Sequence, residues 1–179
     1  MLLLLITSFN WNNLLLLALL TLIAIAYVVP ILKRSLREYA GLKSFLVALV
    51  WTGLIIIYPL LNGHVQMQLY ALDILGFFVY FFALTIPFDI RDLQFDLPSQ
   101  KTLPQVFGVV GAKMIACGLI LGFYFISANF NQEIWKMALL GAFCILTSFL
   151  IFYTKPQRSV NYFAAINALM ILLGLWFFV

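Results

Sequence analysis

Three of the six acidic residues in this 179-residue chain lie close together, and they are the side chains best suited to chemistry. Asp89, Asp92 and Asp96 are spaced so that a helix continuing through all of them places the three carboxylates on one face. Carboxylates so close repel each other, and we expect the neighbouring Arg91 to point elsewhere on the helix. A hard divalent cation is therefore the expected partner. Mg²⁺ binds one or two carboxylates and takes water and phosphate oxygens as its other ligands.

The composition indicates which solvent surrounds these acids. Hydrophobic residues make up 65% of the chain and charged residues 9%, against roughly 45–50% and about 25% in a typical soluble domain. So few charges cannot cover a water-facing surface. This excludes a soluble enzyme, a nucleic-acid-binding domain, a disordered chain and a small disulfide-rich secreted protein. We expect membrane lipid around most of the chain and no nucleic-acid partner.

Runs of about 20 apolar residues, the length that crosses a bilayer as a helix, recur along the whole chain. They are apolar on all sides, whereas the strands of a membrane barrel alternate between apolar and polar residues. The sequence therefore predicts an all-α fold, a polytopic transmembrane helical bundle that forms a single membrane domain over residues 1–179. The six predicted spans cover about 11–32, 44–61, 67–88, 106–130, 137–153 and 160–179, and the acidic motif segment 89–104 joins the third to the fourth.

Basic residues are concentrated on one side of these predicted spans. The connections after the first, third and fifth spans, with their flanking turns, hold nine of the ten cations, and only Lys136 falls on the other side. Because cytoplasmic loops carry an excess of Lys and Arg, we expect these connections, including segment 89–104, to face the cytoplasm. The nine are Lys33, Arg34, Arg37, Lys43, Arg91, Lys101, Lys113, Lys155 and Arg158.

Small residues in the fourth predicted span indicate where helices approach each other. Gly108, Ala112 and Ala116 recur at four-residue spacing, and so do Gly118 and Gly122. Residues of this size let two helix backbones come close, so both groups predict helix–helix contact.

The residues after the acids make the motif more specific. Asp92-x-x-x-Asp96, followed by Lys101-Thr102-Leu103-Pro104 and placed between two spans, resembles the second aspartate motif of the UbiA superfamily of intramembrane prenyltransferases. Residues 36–51 also look like the bacterial members of this family. The family has nine spans, so the six predicted here would match its spans four to nine. The family's first motif, NxxxDxxxD, does not occur in this sequence, and Pro98-Ser99-Gln100 stands where the family usually has a glycine.

The resemblance implies an alkyl or aryl transferase in the bacterial cytoplasmic membrane. Such an enzyme moves a polyprenyl group from a diphosphate donor to an aromatic or other lipid-soluble acceptor at the cytoplasmic face. Asp92 and Asp96, assisted by Asp89, would bind Mg²⁺, while Lys101, Lys43 and Arg37 are candidates to bind the diphosphate. The basic residues also have a simpler interpretation, since any cytoplasmic loop carries such residues to set topology. No catalytic residue is assigned.

Three functional hypotheses remain open. The first is a prenyltransferase that is truncated here or is completed by another chain supplying the first aspartate motif. The second is a degenerate family member that binds isoprenoid diphosphate or a membrane partner without catalysis. The third is an unrelated six-span carrier, for which only Asp73 and Lys113 offer charges within the spans.

Overall fold

The computed structural model describes residues 11–30, 35–39, 41–63, 66–128, 133–155 and 160–177, and these ranges contain helices and turns without any strand. The predicted all-α class is therefore confirmed. Five helices are long and apolar enough to cross a membrane, and the last contains a shorter apolar stretch, Tyr162–Leu175. We number the helices α1 (Trp11–Val28), α2 (Leu42–Asn62), α3 (Ala71–Asp92), α4 (Leu103–Ala128), α5 (Ile134–Phe152) and α6 (Val160–Phe177).

The helices nearest the predicted site begin and end away from the predicted span limits. Gly41 has a φ of +72°, a left-handed conformation that glycine adopts without strain, and α2 begins directly after it. A π-helical turn, Gly53–Ile57, interrupts α2 near its middle. Helix α3 continues to Asp92, past the predicted end at residue 88. As a result, Lys43 lies in the first turn of a helix and not in a connection.

Helix α3 is the central helix of the bundle. It packs most extensively against α4, and it also contacts α2 and α6. Every residue from Ala83 to Pro87 is buried, so protein surrounds this part of α3 on all sides. On the outside of the bundle, large apolar side chains such as Leu22, Val110 and Ile145 are exposed, as expected for a surface that meets lipid.

The contact between α3 and α4 uses only part of the predicted small-residue pattern. Ala112 and Ala116 are fully buried, as that pattern requires. Among the described residues, a Cβ atom built at Gly118 or Gly122 would meet no atom of another helix within 4 Å, so the helix contact predicted for this pair is wrong. Gly108 breaks α4 with a φ of +70° and a ψ of 168°, a backbone conformation open essentially to glycine alone. Its role is to kink the helix.

A buried hydrogen bond joins α3 to α5 within the apolar core. The hydroxyl oxygens of Tyr80 and Thr147 lie 3.1 Å apart, and both side chains are fully buried. Thr147 donates its own proton to the carbonyl oxygen of Phe143 at 2.8 Å. The Tyr80 hydroxyl is therefore the donor in the bond between the two helices. The ring of Tyr80 packs against Phe123 and Phe143.

Replacing Tyr80 with phenylalanine removes this bond and leaves the ring in place. We expect Tyr80→Phe to lower the free energy of unfolding in detergent by about 1 kcal/mol, since Thr147 keeps its bond to Phe143. Introduced into the Tyr80→Phe variant, Thr147→Val should lower the free energy of unfolding by less than it does in wild type, because the two residues share one bond. Tyr39→Phe, at a side chain that is 42% exposed, is the matched control. Equal stability of Tyr80→Phe and wild type would contradict the role of this bond.

Candidate functional site

The three aspartates meet at one end of α3, although not on one continuous helix. Asp89 and Asp92 lie in the last turn of α3, which ends at Asp92. The backbone N–H groups of Phe95 and Asp96 both donate to the carbonyl oxygen of Asp92, at 2.7 and 2.9 Å. This turn carries Asp96 back beside the helix end. The helix therefore does not continue through Asp96, but the three carboxylates still converge.

A lysine ammonium group lies at the point where the carboxylates converge. The Nζ atom of Lys43 is 3.4 Å from Asp89 Oδ1, 3.4 Å from Asp92 Oδ2, and 2.7 and 2.8 Å from the two oxygens of Asp96. Only 12% of the Lys43 side chain is exposed. The positive charge that the clustered acids require is thus supplied by the first turn of α2. We call these four residues the acidic cluster.

Asp89 is the most deeply buried member of the acidic cluster. Its side chain is 2% exposed and accepts a hydrogen bond from the Ser44 hydroxyl, besides facing Lys43. Neighbouring residues of α2 therefore hold this carboxylate from two directions. The contact ties the beginning of α2 to the end of α3, and the sequence analysis did not single out Ser44.

Arg91 binds the same acidic end, contrary to the expectation that it points elsewhere. Its Nε atom donates to Asp92 Oδ1 at 2.7 Å, and its Nη2 atom donates to Asp92 Oδ2 at 3.3 Å. The side chains of adjacent helix residues do not normally face each other. The long arginine side chain bends back to make this contact. Asp92 therefore has a cation on each side, Arg91 and Lys43.

The Thr-Leu-Pro stretch has a local structural role at the start of α4. The Gln105 side-chain oxygen accepts the backbone N–H of Thr102 at 3.0 Å, as a residue in the first turn of a helix does in a capping box. The Gln105 amide nitrogen donates to the carbonyl oxygens of Asp96 and Leu97 at 3.3 and 3.2 Å. Pro104 suits the first turn, where its missing N–H costs nothing. Gln105 thus fixes the turn that carries Asp96.

The cations predicted to bind diphosphate do not share one environment. Lys43 lies within the acidic cluster, whereas the side chains of Arg37 and Lys101 are exposed. Within the described part of the chain, neither Arg37 nor Lys101 lies within 4 Å of a carboxylate oxygen. Their roles toward diphosphate stay predictions.

The oxygen atoms of the acidic cluster are of the kind that Mg²⁺ prefers as ligands. Among the residues that the structure describes, no three His, Cys, Asp or Glu side chains are arranged to hold a metal ion. Asp92 and Asp96, however, direct three oxygen atoms at one cation position, now that of Lys43 Nζ. Two carboxylates suffice for Mg²⁺ when water and phosphate oxygens supply its other ligands. Binding of Mg²⁺ by Asp92 and Asp96 therefore stays a prediction, as does the assisting role of Asp89.

The other charged residues of the sequence analysis lie away from this cluster or outside the described residues. Asp73 lies in the first turn of α3, at the opposite end of that helix. Lys113 donates to the carbonyl oxygen of Phe152 at 2.7 Å, where α5 ends, and so binds the negative end of that helix dipole. The residues outside the described ranges include Lys33, Arg34, Arg158 and the last two residues of the first, fourth and sixth predicted spans.

The sequence matches no family model, and comparisons with curated proteins and with solved structures likewise found no match.

Removing the ammonium of Lys43 should leave three clustered carboxylates without their shared counter-ion. We expect Lys43→Met to lower the free energy of unfolding at neutral pH by roughly 3 kcal/mol, because buried charges that lose a partner are strongly destabilising. Lys101→Met is the matched control, since it removes an exposed cation near the same end and should cost about 0.5 kcal/mol or less. The measurement is denaturant unfolding in detergent. Equal losses in the two variants would show that Lys43 is not the counter-ion of the cluster.

Proposed function

We propose that this integral membrane protein is a UbiA-like prenyltransferase that acts on a polyprenyl diphosphate at the cytoplasmic face of a bacterial membrane. The observation that supports it is the convergence of Asp92 and Asp96 on a single cation position at the end of a central membrane helix. Ionisable groups inside a membrane-spanning segment are rare and costly. A group of three acids at the end of such a helix, with the Asp89 side chain only 2% exposed, therefore favours a functional role. The cytoplasmic placement rests on the excess of basic residues at this end.

In this proposal Asp92 and Asp96 hold Mg²⁺ against the diphosphate of the donor. A bound Mg²⁺ ion would neutralise the charge that develops on the departing diphosphate. The contribution of the chain is to keep the two carboxylates ionised and close together. Lys43 does this from α2, and its ammonium is the cation nearest to any anionic group that enters the cluster.

The acidic cluster supplies one set of carboxylates, whereas the family resemblance implies two facing sets. Because the NxxxDxxxD pattern does not occur in this sequence, we propose that the second set comes from a segment outside it, either in a longer form of the same chain or in another chain. Transition-state stabilisation by one set would fall short of what two sets provide. Transfer is therefore expected to need that further segment, while binding of metal and diphosphate is expected to depend on Asp92 and Asp96.

The position of Lys43 also favours a second candidate function. Because the Lys43 ammonium already neutralises the acids, they need a divalent ion less. This would suit a family member that binds an isoprenoid diphosphate without transferring its prenyl group. In that case the anionic head would meet Lys43 directly and binding would not need Mg²⁺. The two candidates differ in whether removing Mg²⁺ abolishes binding.

The test measures binding of labelled farnesyl diphosphate to the purified protein, with Mg²⁺ and with a chelator. We expect wild-type binding to require Mg²⁺, and we expect Asp92→Asn and Asp96→Asn each to abolish it, because each removes a negatively charged ligand. Asp73→Asn is the matched control, since it makes the same change at the opposite end of α3. It should bind like wild type.

The remaining outcomes separate the candidates. Mg²⁺-independent binding that Lys43→Met abolishes would replace the prenyltransferase by the non-catalytic binding protein. Wild-type-like binding in both Asp92→Asn and Asp96→Asn would remove the acidic cluster from the function altogether. Membranes that contain the protein should also transfer the label to an aromatic acceptor when the segment that carries the second set of carboxylates is present.

A further inference from the structure

Arg91 is held by two aromatic rings from different helices. Its guanidinium carbon lies 5.3 Å from the ring centroid of Phe88 on α3 and 5.0 Å from that of Phe163 on α6. The two rings contact each other, with centroids 5.4 Å apart, and Phe163 is 2% exposed. Aromatic faces attract a guanidinium group through their negative charge distribution. The rings therefore restrict where Arg91 can place its nitrogen atoms.

That restriction explains an unusual contact. Adjacent residues on a helix point in different directions, so an unrestrained Arg91 would extend away from Asp92. Its Nε and Nη2 atoms instead reach both oxygens of the Asp92 carboxylate. Phe88, one turn before Arg91, lies under the same guanidinium group, and Phe163 adds a ring from the last helix. Because a phenyl ring carries no polar atom, neither ring forms a hydrogen bond with the acids, and both act on Asp92 only through Arg91.

We infer that Arg91 is a positioning residue that fixes the orientation of the Asp92 carboxylate, and that helix α6 sets the place of Arg91 through Phe163. The inference deepens the proposed function and rests on it for its consequence in metal binding. Helix α6 carries no acidic residue. Through Phe163 and Arg91 it would nevertheless set the orientation of the Asp92 carboxylate, one of the two proposed metal ligands. Outer partners of this kind commonly change metal affinity by about 10- to 100-fold.

Phe163→Leu removes the ring and keeps a large apolar side chain. Phe152→Leu is the matched control, because it removes an aromatic ring that lies 5.7 Å from another cation, Lys113, on a different part of the bundle. Thermal unfolding of all variants in detergent shows whether any change in binding follows from a loss of stability.

The first measurement needs no metal. The chain has four arginines, so its Nε–H groups give a simple nitrogen-15 spectrum, in which Arg91→Lys identifies the Arg91 signal. A donor held by a carboxylate exchanges slowly with water. We expect Phe163→Leu and Asp92→Asn to speed exchange at Arg91 about tenfold, while Phe152→Leu leaves it unchanged. Unchanged exchange in Phe163→Leu would overturn the inference.

The second measurement is the dissociation constant for Mn²⁺, followed by its electron paramagnetic resonance signal. We expect Phe163→Leu to weaken binding about tenfold, and Phe152→Leu to bind like wild type. If Asp92→Asn abolishes binding and Phe163→Leu does not weaken it, the positioning role is overturned and the proposed function stands. If wild type binds no Mn²⁺, the metal site of the proposed function fails, and the exchange rate alone decides the role of Arg91.

Discussion

Three carboxylates lie around the ammonium group of Lys43 at the end of α3, and much of the surrounding structure follows from bringing that one charge to them. Lys43 belongs to the first turn of α2, so the left-handed Gly41 that starts this helix determines where the ammonium can reach. Ser44 adds a hydrogen bond to Asp89. On the other side, the turn after Asp92 and the side chain of Gln105 bring Asp96 into range. Repulsion among the acids would otherwise drive these elements apart.

The same constraint relates the cluster to the proposed chemistry. A buried group of acids can remain ionised only while a cation stays among them. Lys43 meets that need in the protein alone, and Mg²⁺ with a diphosphate would meet it in the complex. Arg91 differs from Lys43 because it lies at the rim, with a side chain that is 41% exposed, and contacts only Asp92 among the three acids. Its fork-shaped group is suited to orienting a carboxylate, whereas a lysine ammonium offers a compact charge.

Much of the fold could be predicted from the sequence, since the lack of charge and the length of the apolar runs demand membrane helices. The grouping of Asp89, Asp92 and Asp96 could also be predicted, because their spacing is local. The partner of these acids could not. Lys43 is distant from them along the chain, and its charge had a sufficient explanation in the positive-inside rule. The direction of the Arg91 side chain was predicted wrongly, because spacing rules place adjacent helix side chains apart. Those rules take no account of Phe163, a ring from α6 that holds the guanidinium group. Gly118 and Gly122 matched a packing pattern that also occurs on open helix faces.

Lys43, in the first turn of α2, and Asp96, in the turn that follows α3, interact directly, and a double-mutant cycle measures that interaction. Lys43→Met, Asp96→Asn and the double variant would be unfolded in detergent beside wild type. We predict that the double variant is more stable than the sum of the single losses implies, with a coupling of about 1–3 kcal/mol. Losses that add to within about 0.5 kcal/mol would contradict a direct interaction between the two charges.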